Sequence, residues 1–462
     1  MKVTLILAAA PNDPLRKNDP FMPLSLPLLA GSAPEHDYTF VDMLAGEEPD
    51  YDAPADLVGI SVRLTAEKTS YRIAQEYRNR GVKVVLGGPQ ISSVPHRAVD
   101  QADAVAVGEG EVVWPLILRD AQKGKLAKFY VASPHPFDAQ GKSLRQIPSY
   151  ADLSQAPFGE RRYYRRKYVF DTVYAARGCA IDCDFCAVPH LFGKAVRFRP
   201  VDDVVREIDT LGQFYYLMDD TVWGRPAHHD YYLELYDKLA RLPRKRLWTG
   251  QCNLDAAADE KGREVIRRSA KAGLVYAAIG MESINPEVQA QSGTIRKSGA
   301  KSPDELLDRM REAIHFIQEE GILISAWFTM GYEQHRPEDF EKTLAFCHEM
   351  HLIPILCPLE ALPGTRLHAR LSAEGRVNQD RKINITHPTM SDDEILGELQ
   401  RATAKGFAMK EILARTLHFA RRCHRPERSG RDKVESVMKK TFFAFNLQWH
   451  IKDGIIGLAN QH

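Results

Sequence analysis

The sequence predicts an α/β protein: a doubly wound parallel sheet first, then a partial (β/α)6 barrel, then a helical C-terminal region. Three observations carry this. Short Val/Ile/Leu runs alternate with amphipathic helical stretches over residues 1–125, and the same alternation returns over residues 169–370. Continuous apolar strands separated by helices belong to parallel sheets covered on both faces. Residues 371–462 show helical patterns and no strand run.

The 462 residues suit two or three domains. A net charge of +1 gives no general affinity for polyanions. The apolar run at Val3–Ala10 is too short to span a bilayer. One charge precedes it and Pro11, Asp13 and Pro14 follow, so it reads as a buried strand rather than a signal peptide. No transmembrane segment is expected. Seven cysteines form an odd, sparse set without paired spacing, which points to a reducing cytoplasm.

In the first domain, residues 1–125, strands are expected near Val3–Ala9, Tyr38–Leu44, Leu57–Val62, Val82–Gly87 and Ala104–Val107, with a helix over Ala66–Arg80. Such sheets bind ligands beyond the carboxyl ends of their strands. Ser61 and Thr65 stand there, as do the turns Gly87-Gly88-Pro89 and Gly108-Glu109-Gly110. Glycine lets a ligand approach the backbone; plain turns are the alternative. Residues 126–168, rich in Pro, Ser and basic residues, read as a linker. Its Arg161–Lys167 run is a solvated strap or, alternatively, a grip for nucleic acid.

In the core, residues 169–370, six strand–helix units give three-quarters of the eight-stranded barrel, with functional residues expected at the carboxyl ends of strands. After the first strand come Cys179, Cys183 and Cys186 in C-x3-C-x2-C spacing. Three thiolates this close can hold three corners of a [4Fe–4S] cube. Four is the rule, and no fourth cysteine stands nearby, so one iron would stay open. A Cys3His zinc site with His190 is the alternative. Later strand ends carry Asp219-Asp220, Gly280-Met281-Glu282-Ser283, Thr329-Met330-Gly331 and Pro363-Gly364-Thr365. A carboxylate at the first of these can bind an ammonium group or cap a helix. Cys252 ends the third strand. It is expected as a buried inert thiol, with a cavity-facing hydrogen-atom donor the alternative. Cys347, Cys357 and Cys423 read as structural, and His228 and His229 as a surface helix start.

The cysteine run, with Arg177-Gly178 before it and Phe185 before its last cysteine, resembles the signature of the radical S-adenosylmethionine (SAM) enzymes. The ordered strand-end turns and the Gly-rich first domain resemble the cobalamin-dependent branch, over about residues 1–370. The resemblance implies a [4Fe–4S] cluster on Cys179, Cys183 and Cys186, with SAM chelated at the open iron. It implies SAM contacts from Phe185, Asp219, Asp220, Glu282, Ser283, Met330 and Gly331. It implies a cobalamin site lined by Ser61, Thr65, Gly87, Gly88, Pro89, Gly108, Glu109 and Gly110. Leu44 stands where some cobalamin proteins carry a cobalt-ligating histidine, so cobalamin is expected His-off, or the domain is a relic.

The implied reaction is methylation of an unactivated carbon through a 5′-deoxyadenosyl radical and methylcobalamin. A cyclisation, hydroxylation, ring contraction or rearrangement, with or without cobalamin, is the second reading. A non-catalytic iron–sulfur or zinc protein that binds nucleic acid is the outside one. The implied partners are a small-molecule, lipid, tetrapyrrole or peptide substrate and an electron donor such as flavodoxin or ferredoxin, with no nucleic acid. The basic stretch Arg401–Lys440 reads as a solvated cap or as a site for a substrate carboxylate or phosphate. Phe442, Phe443, Phe445, Trp449, Ile455 and Ile456 are expected to pack onto the barrel or close its cavity.

Overall fold

A computed structural model describes residues 1–13, 15–422, 440–441, 444–449 and 451–452. The chain divides into two compact units, Met1–Thr172 with Val188–Pro200 and Val173–Ala187 with Val201–His462.

The first unit is built on seven strands: β1 (Lys2–Leu7), β2 (Asp37–Asp42), β3 (Leu57–Ser61), β4 (Lys83–Gly87), β5 (Ala104–Gly108), β6 (Phe129–Ala132) and β7 (Leu144–Ile147). They lie in the order β2-β1-β3-β4-β5-β6-β7, and every pair is parallel. β3 is buried throughout, as its unbroken apolar run requires. The helix Glu67–Asn79 buries Ser70, Ile73, Ala74 and Tyr77, the i, i+3, i+4, i+7 stripe of a surface helix.

Residues 126–168 are not a linker. Phe129–Ala132 is a fully buried strand, and β7 extends the sheet beyond it. A four-residue apolar run between basic and proline-rich stretches left too little periodicity to read. The addition of β6 also explains Gly108. It pairs with Ala132, has φ of +85°, and a Cβ there would overlap the Ala132 carbonyl oxygen.

The second unit carries β8 (Asp171–Val173), β11 (Phe214–Leu217), β12 (Leu247–Cys252), β13 (Leu274–Glu282), β14 (Leu323–Met330) and β15 (Ile353–Pro358), in the order β15-β14-β13-β12-β11-β8. Two-residue strands β9 (Ala176–Arg177) and β10 (Arg197–Phe198) lie between them in sequence. Strands β11 to β15 pair in parallel and in chain order, with helices between, which makes the partial barrel.

Register sorts the two faces of this sheet. Tyr216 pairs with Thr249, Gln251 with Ala278, Gly280 with Trp327, and Thr329 with Cys357, so these residues share the inner face. Cys252 pairs with Ile279 on the opposite face and is 2% exposed. It is therefore a packed thiol turned away from the cavity. His229 opens the helix His229–Ala240 but is fully buried, not on the surface.

The C-terminal residues belong to the barrel's core. Tyr276, Leu323, Ile353 and Ile355 form one buried cluster with Phe407, Phe419, Ala444 and Leu447. Trp449 is largely exposed, whereas Phe442, Phe443, Ile455, Ile456 and Cys423 lie outside the described residues. Arg415 departs from a solvated cap: it is buried, donating to Gln448 Oε1 (2.8 Å) and Gly406 O (2.9 Å). No helix among the described residues is long and apolar enough to cross a membrane.

Substituting Gly108→Ala forces a left-handed conformation and a backbone clash together, and should cost at least about 2 kcal/mol. Gly124, also left-handed but with open space around its Cβ position, should lose about 1 kcal/mol as Gly124→Ala. Thermal unfolding of the two variants, compared with the parent, checks the order.

Candidate active site

The approach to the cysteine loop is fixed by two neighbouring carboxylates at the end of β11. Asp219 Oδ1 accepts from the backbone N–H of Ala175 (2.7 Å) and Ala176 (2.9 Å), and its Oδ2 accepts from the Tyr232 hydroxyl (2.9 Å). Asp220 Oδ2 accepts from Gly178 N–H (3.0 Å), where the backbone has φ of +99°. Burial pushes the Asp219 carboxyl up to about 7, and the three donors pull it back down. The Asp-Asp pair was expected to meet SAM. Asp219 holds the chain in place just before Cys179.

The loop is anchored on its far side as well. Asp182 has φ of +61°, and its carbonyl accepts from Arg366. Asp184 donates its N–H to Ser292 O (3.1 Å) and accepts from Leu367 N–H (2.9 Å), while its carboxylate accepts from the Tyr332 hydroxyl (3.3 Å). Phe185 meets the Tyr332 ring edge-on, with centroids 6.5 Å apart.

Burial raises the Cys179 thiol and pushes Cys183 up to about 12, and the Lys297 ammonium works against both shifts. Cys179 and Cys186 act on Cys183 in turn, so the three sulfurs share one neighbourhood. Among the described residues no three His, Cys, Asp or Glu side chains converge on the point one metal ion would fill. A [4Fe–4S] cube takes one thiolate per iron, so its ligands surround it rather than converge. Three soft thiols in one neighbourhood, two of them desolvated beside an ammonium, fit that donor set.

Lys297 is the residue that sequence reasoning missed. Near the end of β13 the register against β14 shifts between Gly280 and Glu282, and Glu282 takes φ of +61°. This bulge sets the Glu282 carboxylate between Lys297 Nζ (2.5 Å) and Thr329 Oγ1 (2.9 Å). Both side chains of the ion pair are nearly buried. Glycine at position 280 leaves room for this pair, because a Cβ there would overlap both Lys297 Nζ and Glu282 Oε1 unless the two side chains shifted. Lys297 sits in a short turn between Gly293 and Gly299, both left-handed. That Gly-x3-Lys-x-Gly spacing was the available signal.

Ser283 and Met330 are both packed into the fold. His335 Nδ1 accepts from the N–H of Gly331 (3.0 Å) and Tyr332 (3.3 Å), which leaves its Nε2–H to donate to Ser283 Oγ (3.1 Å). Ser283 also accepts from Asn285 N–H (3.0 Å), and both Ser283 and Met330 are buried. The pair Ser283–His335 ties the end of β13 to the turn after β14, where Gly331 has φ of +104°.

In the first unit, Ser61, Gly87 and Gly108 line up at the carboxyl ends of adjacent strands β3, β4 and β5, with Pro89 opening the next helix. The glycines serve packing: a Cβ on Gly88 would meet Val62 N at 2.7 Å, and one on Gly110 would meet Leu29 at 3.1 Å. Thr65 Oγ1 donates to Asp13 (3.1 Å). Glu109 is buried, pairs with Arg197 (2.9 Å) and accepts from Ala151 N–H (2.7 Å). Leu44 is buried, so the turn after β2 offers no nitrogen to a metal. His190 lies in the helix Val188–Phe192 of this first unit.

Residues 173–347 match the radical SAM superfamily, and residues 365–458 match a domain of unknown function, DUF4070. The chain carries a radical SAM domain and is an enzyme. It is 26% identical over 418 residues to a bacteriochlorophyllide d C-12(1)-methyltransferase of Chlorobaculum tepidum, covering 86% of each chain. It is 24% identical to a hopanoid C-2 methylase of Rhodopseudomonas palustris, over 93% of this chain and 80% of that one. Its fold matches that of OxsB, a cobalamin-dependent SAM radical enzyme solved with aqua-cobalamin, at a TM-score of 0.68 and 14% identity over 97% of this chain and 72% of OxsB. It also matches TsrM of Kitasatospora setae, a radical SAM methyltransferase solved with cobalamin and a [4Fe–4S] cluster, at 0.64 and 18% identity over 87% of this chain and 84% of TsrM.

Lys297→Met leaves the Glu282 carboxylate buried without its cation and should destabilise the second unit by about 3 kcal/mol. Lys297→Met combined with Glu282→Gln, which leaves no charge, should recover more than half of that loss in chemical denaturation. Burial also pushes His335 down to about 4, against 6.5 in the unfolded chain. Its contribution is complete above pH 6.5 and falls as pH drops from 6.5 towards 4, by up to about 3 kcal/mol. Unfolding at pH 7.5 and pH 5 should show this slope, and His335→Gln should flatten it.

Proposed function

We propose that the chain is a cobalamin-dependent radical SAM methyltransferase that methylates an unactivated carbon of a small-molecule substrate. The observation that carries this is the cysteine loop, whose Cys179 and Cys183 thiols are desolvated beside the Lys297–Glu282 pair, with Cys186 in the same neighbourhood. When bound, the cluster and SAM supply a 5′-deoxyadenosyl radical, and cobalamin supplies the methyl group.

The chain's own residues do the positioning. Cys179, Cys183 and Cys186 hold the cluster, and three thiolates on a [4Fe–4S]²⁺ core leave it net negative. Lys297 offsets that charge. Glu282, held by Lys297 and Thr329, faces the SAM end with Phe185. Asp219 fixes the loop backbone, and Ser283 ties the end of β13 to the turn after β14. At the carboxyl edge of the first sheet, Ser61 and the turns at Gly87-Gly88-Pro89 and Gly108-Glu109-Gly110 would hold cobalamin, and the Leu44 turn would offer it no side-chain nitrogen. Methyl transfer is favoured because the two curated relatives described above are methylating enzymes and TsrM, which shares the fold, is a methyltransferase. The second reading, radical chemistry without cobalamin, draws on the first unit's own contacts: Gly88, Gly108, Thr65 and Glu109 are accounted for by protein packing. The electron donor, by this reading, is a flavodoxin or ferredoxin, and the compartment is the cytoplasm.

Anaerobically reconstituted protein given SAM and dithionite should release 5′-deoxyadenosine, and each of Cys179→Ala, Cys183→Ala and Cys186→Ala should reduce that to background along with the bound iron. Absence of 5′-deoxyadenosine from the parent would overturn the enzyme reading. Product without any cobalt retained after reconstitution would replace methyl transfer by the second reading.

A further inference from the structure

The inner face of the barrel sheet is uncharged from Tyr216 across Gln251, Ala278 and Trp327 to Cys357; the register places no Asp, Glu, Lys, Arg or His among its strand positions below Glu282. At its centre Trp327 is 43% exposed, although β14 lies between two paired strands. The reason is local. Its register partner on β13 is Gly280, which has no side chain to cover the indole and leaves room for the Lys297–Glu282 pair above it. The indole N–H donates to Ser325 Oγ (3.0 Å), so the ring's one polar group is already satisfied and what it offers is an apolar face. Met218, two residues beyond Tyr216, is also 43% exposed.

The amino end of this face is closed. Tyr276 and Leu323 are buried with Phe419, Ala444 and Leu447, and Ile355, the partner of Trp327 on β15, belongs to the same cluster, so the open surface begins at Trp327 on its β13 side. Thr329, two residues further along the same face, touches Glu282. Trp327 therefore stands roughly 7 Å along the strand from the group that faces the cysteine loop.

We propose that this face receives the substrate and that the part it receives is a flat, uncharged, apolar ring system stacked on Trp327. The proposal rests on the radical SAM reading, which makes the region beside Glu282 the place of reaction. A charged group laid on this face would lose its hydration with no partner to replace it, and a flexible chain would gain contact area but no stacking. Trp327 is thus a specificity-determining residue, uncovered by the glycine that also makes room for the Glu282–Lys297 pair.

The test uses anaerobically reconstituted full-length protein and three probes: pyrene, pyrenetetrasulfonate and 1-dodecanol. Pyrene binding, followed by its emission anisotropy, should saturate and should be at least about tenfold tighter than that of either other probe. Trp327→Ala should weaken pyrene about tenfold, whereas Trp327→Phe, which keeps an aromatic face, should stay within about threefold, a tenfold change being near 1.4 kcal/mol. Equal pyrene affinity in parent and Trp327→Ala, or tetrasulfonate binding as tight as pyrene, would overturn the proposal. Release of 5′-deoxyadenosine by the parent is measured alongside. Its failure would count against the radical SAM reading, while the probe series still decides what the Trp327 face binds.

Discussion

Two adjacent carboxylates fix where the chemistry of this chain can take place. Asp219 and Asp220 together accept three backbone N–H groups from Ala175, Ala176 and Gly178, the residues that lead into Cys179. A loop rich in turns cannot satisfy its own buried amides, and unmet amides in a desolvated setting are costly. By meeting them from a neighbouring strand end, the pair sets the path of the cysteine loop before any cluster binds. Asp184, Tyr332 and Leu367 complete the hold from the other side. The barrel is thus the frame, and the loop is a rigid insert at its carboxyl end.

Electrostatics follows from that placement. Burial alone keeps the thiols protonated, and a cluster that needs them as thiolates must displace their protons. Lys297 is the cation nearest the problem, and it is held there by Glu282, which in turn is aimed by a bulge and a left-handed backbone. Such strain persists where the surrounding structure over-determines it. One cascade therefore links the bulge, Gly280, the ion pair, the thiols and the uncovered face of Trp327.

Much of this was legible in the sequence. The order of strands and helices, the two parallel sheets and the cysteine spacing follow from periodicity and motif alone. What sequence could not give was direction. Strand-end motifs tell where Asp219 and Ser283 lie, but not that their oxygens turn to Ala175, Ala176 and His335. Cys252 and Gln251 differ by one residue, and a period of two sends them to opposite faces, so ending a strand did not place the thiol in the cavity. The strand at Phe129–Ala132 was hidden by the composition on either side of it, and the contacts of Gly108 became readable only once that strand was in place. Lys297 offers only its Gly-x3-Lys-x-Gly spacing; its role comes from a partner fifteen positions away.

The central claim is that the cysteine loop carries a cluster with one iron free to take SAM. The most direct measurement is the electron paramagnetic resonance spectrum of the dithionite-reduced, reconstituted protein before and after SAM is added. The account predicts the signal of a reduced [4Fe–4S] cluster whose g-values shift on SAM binding. A spectrum unchanged by saturating SAM, or no cluster signal in protein that retains its iron, would contradict it.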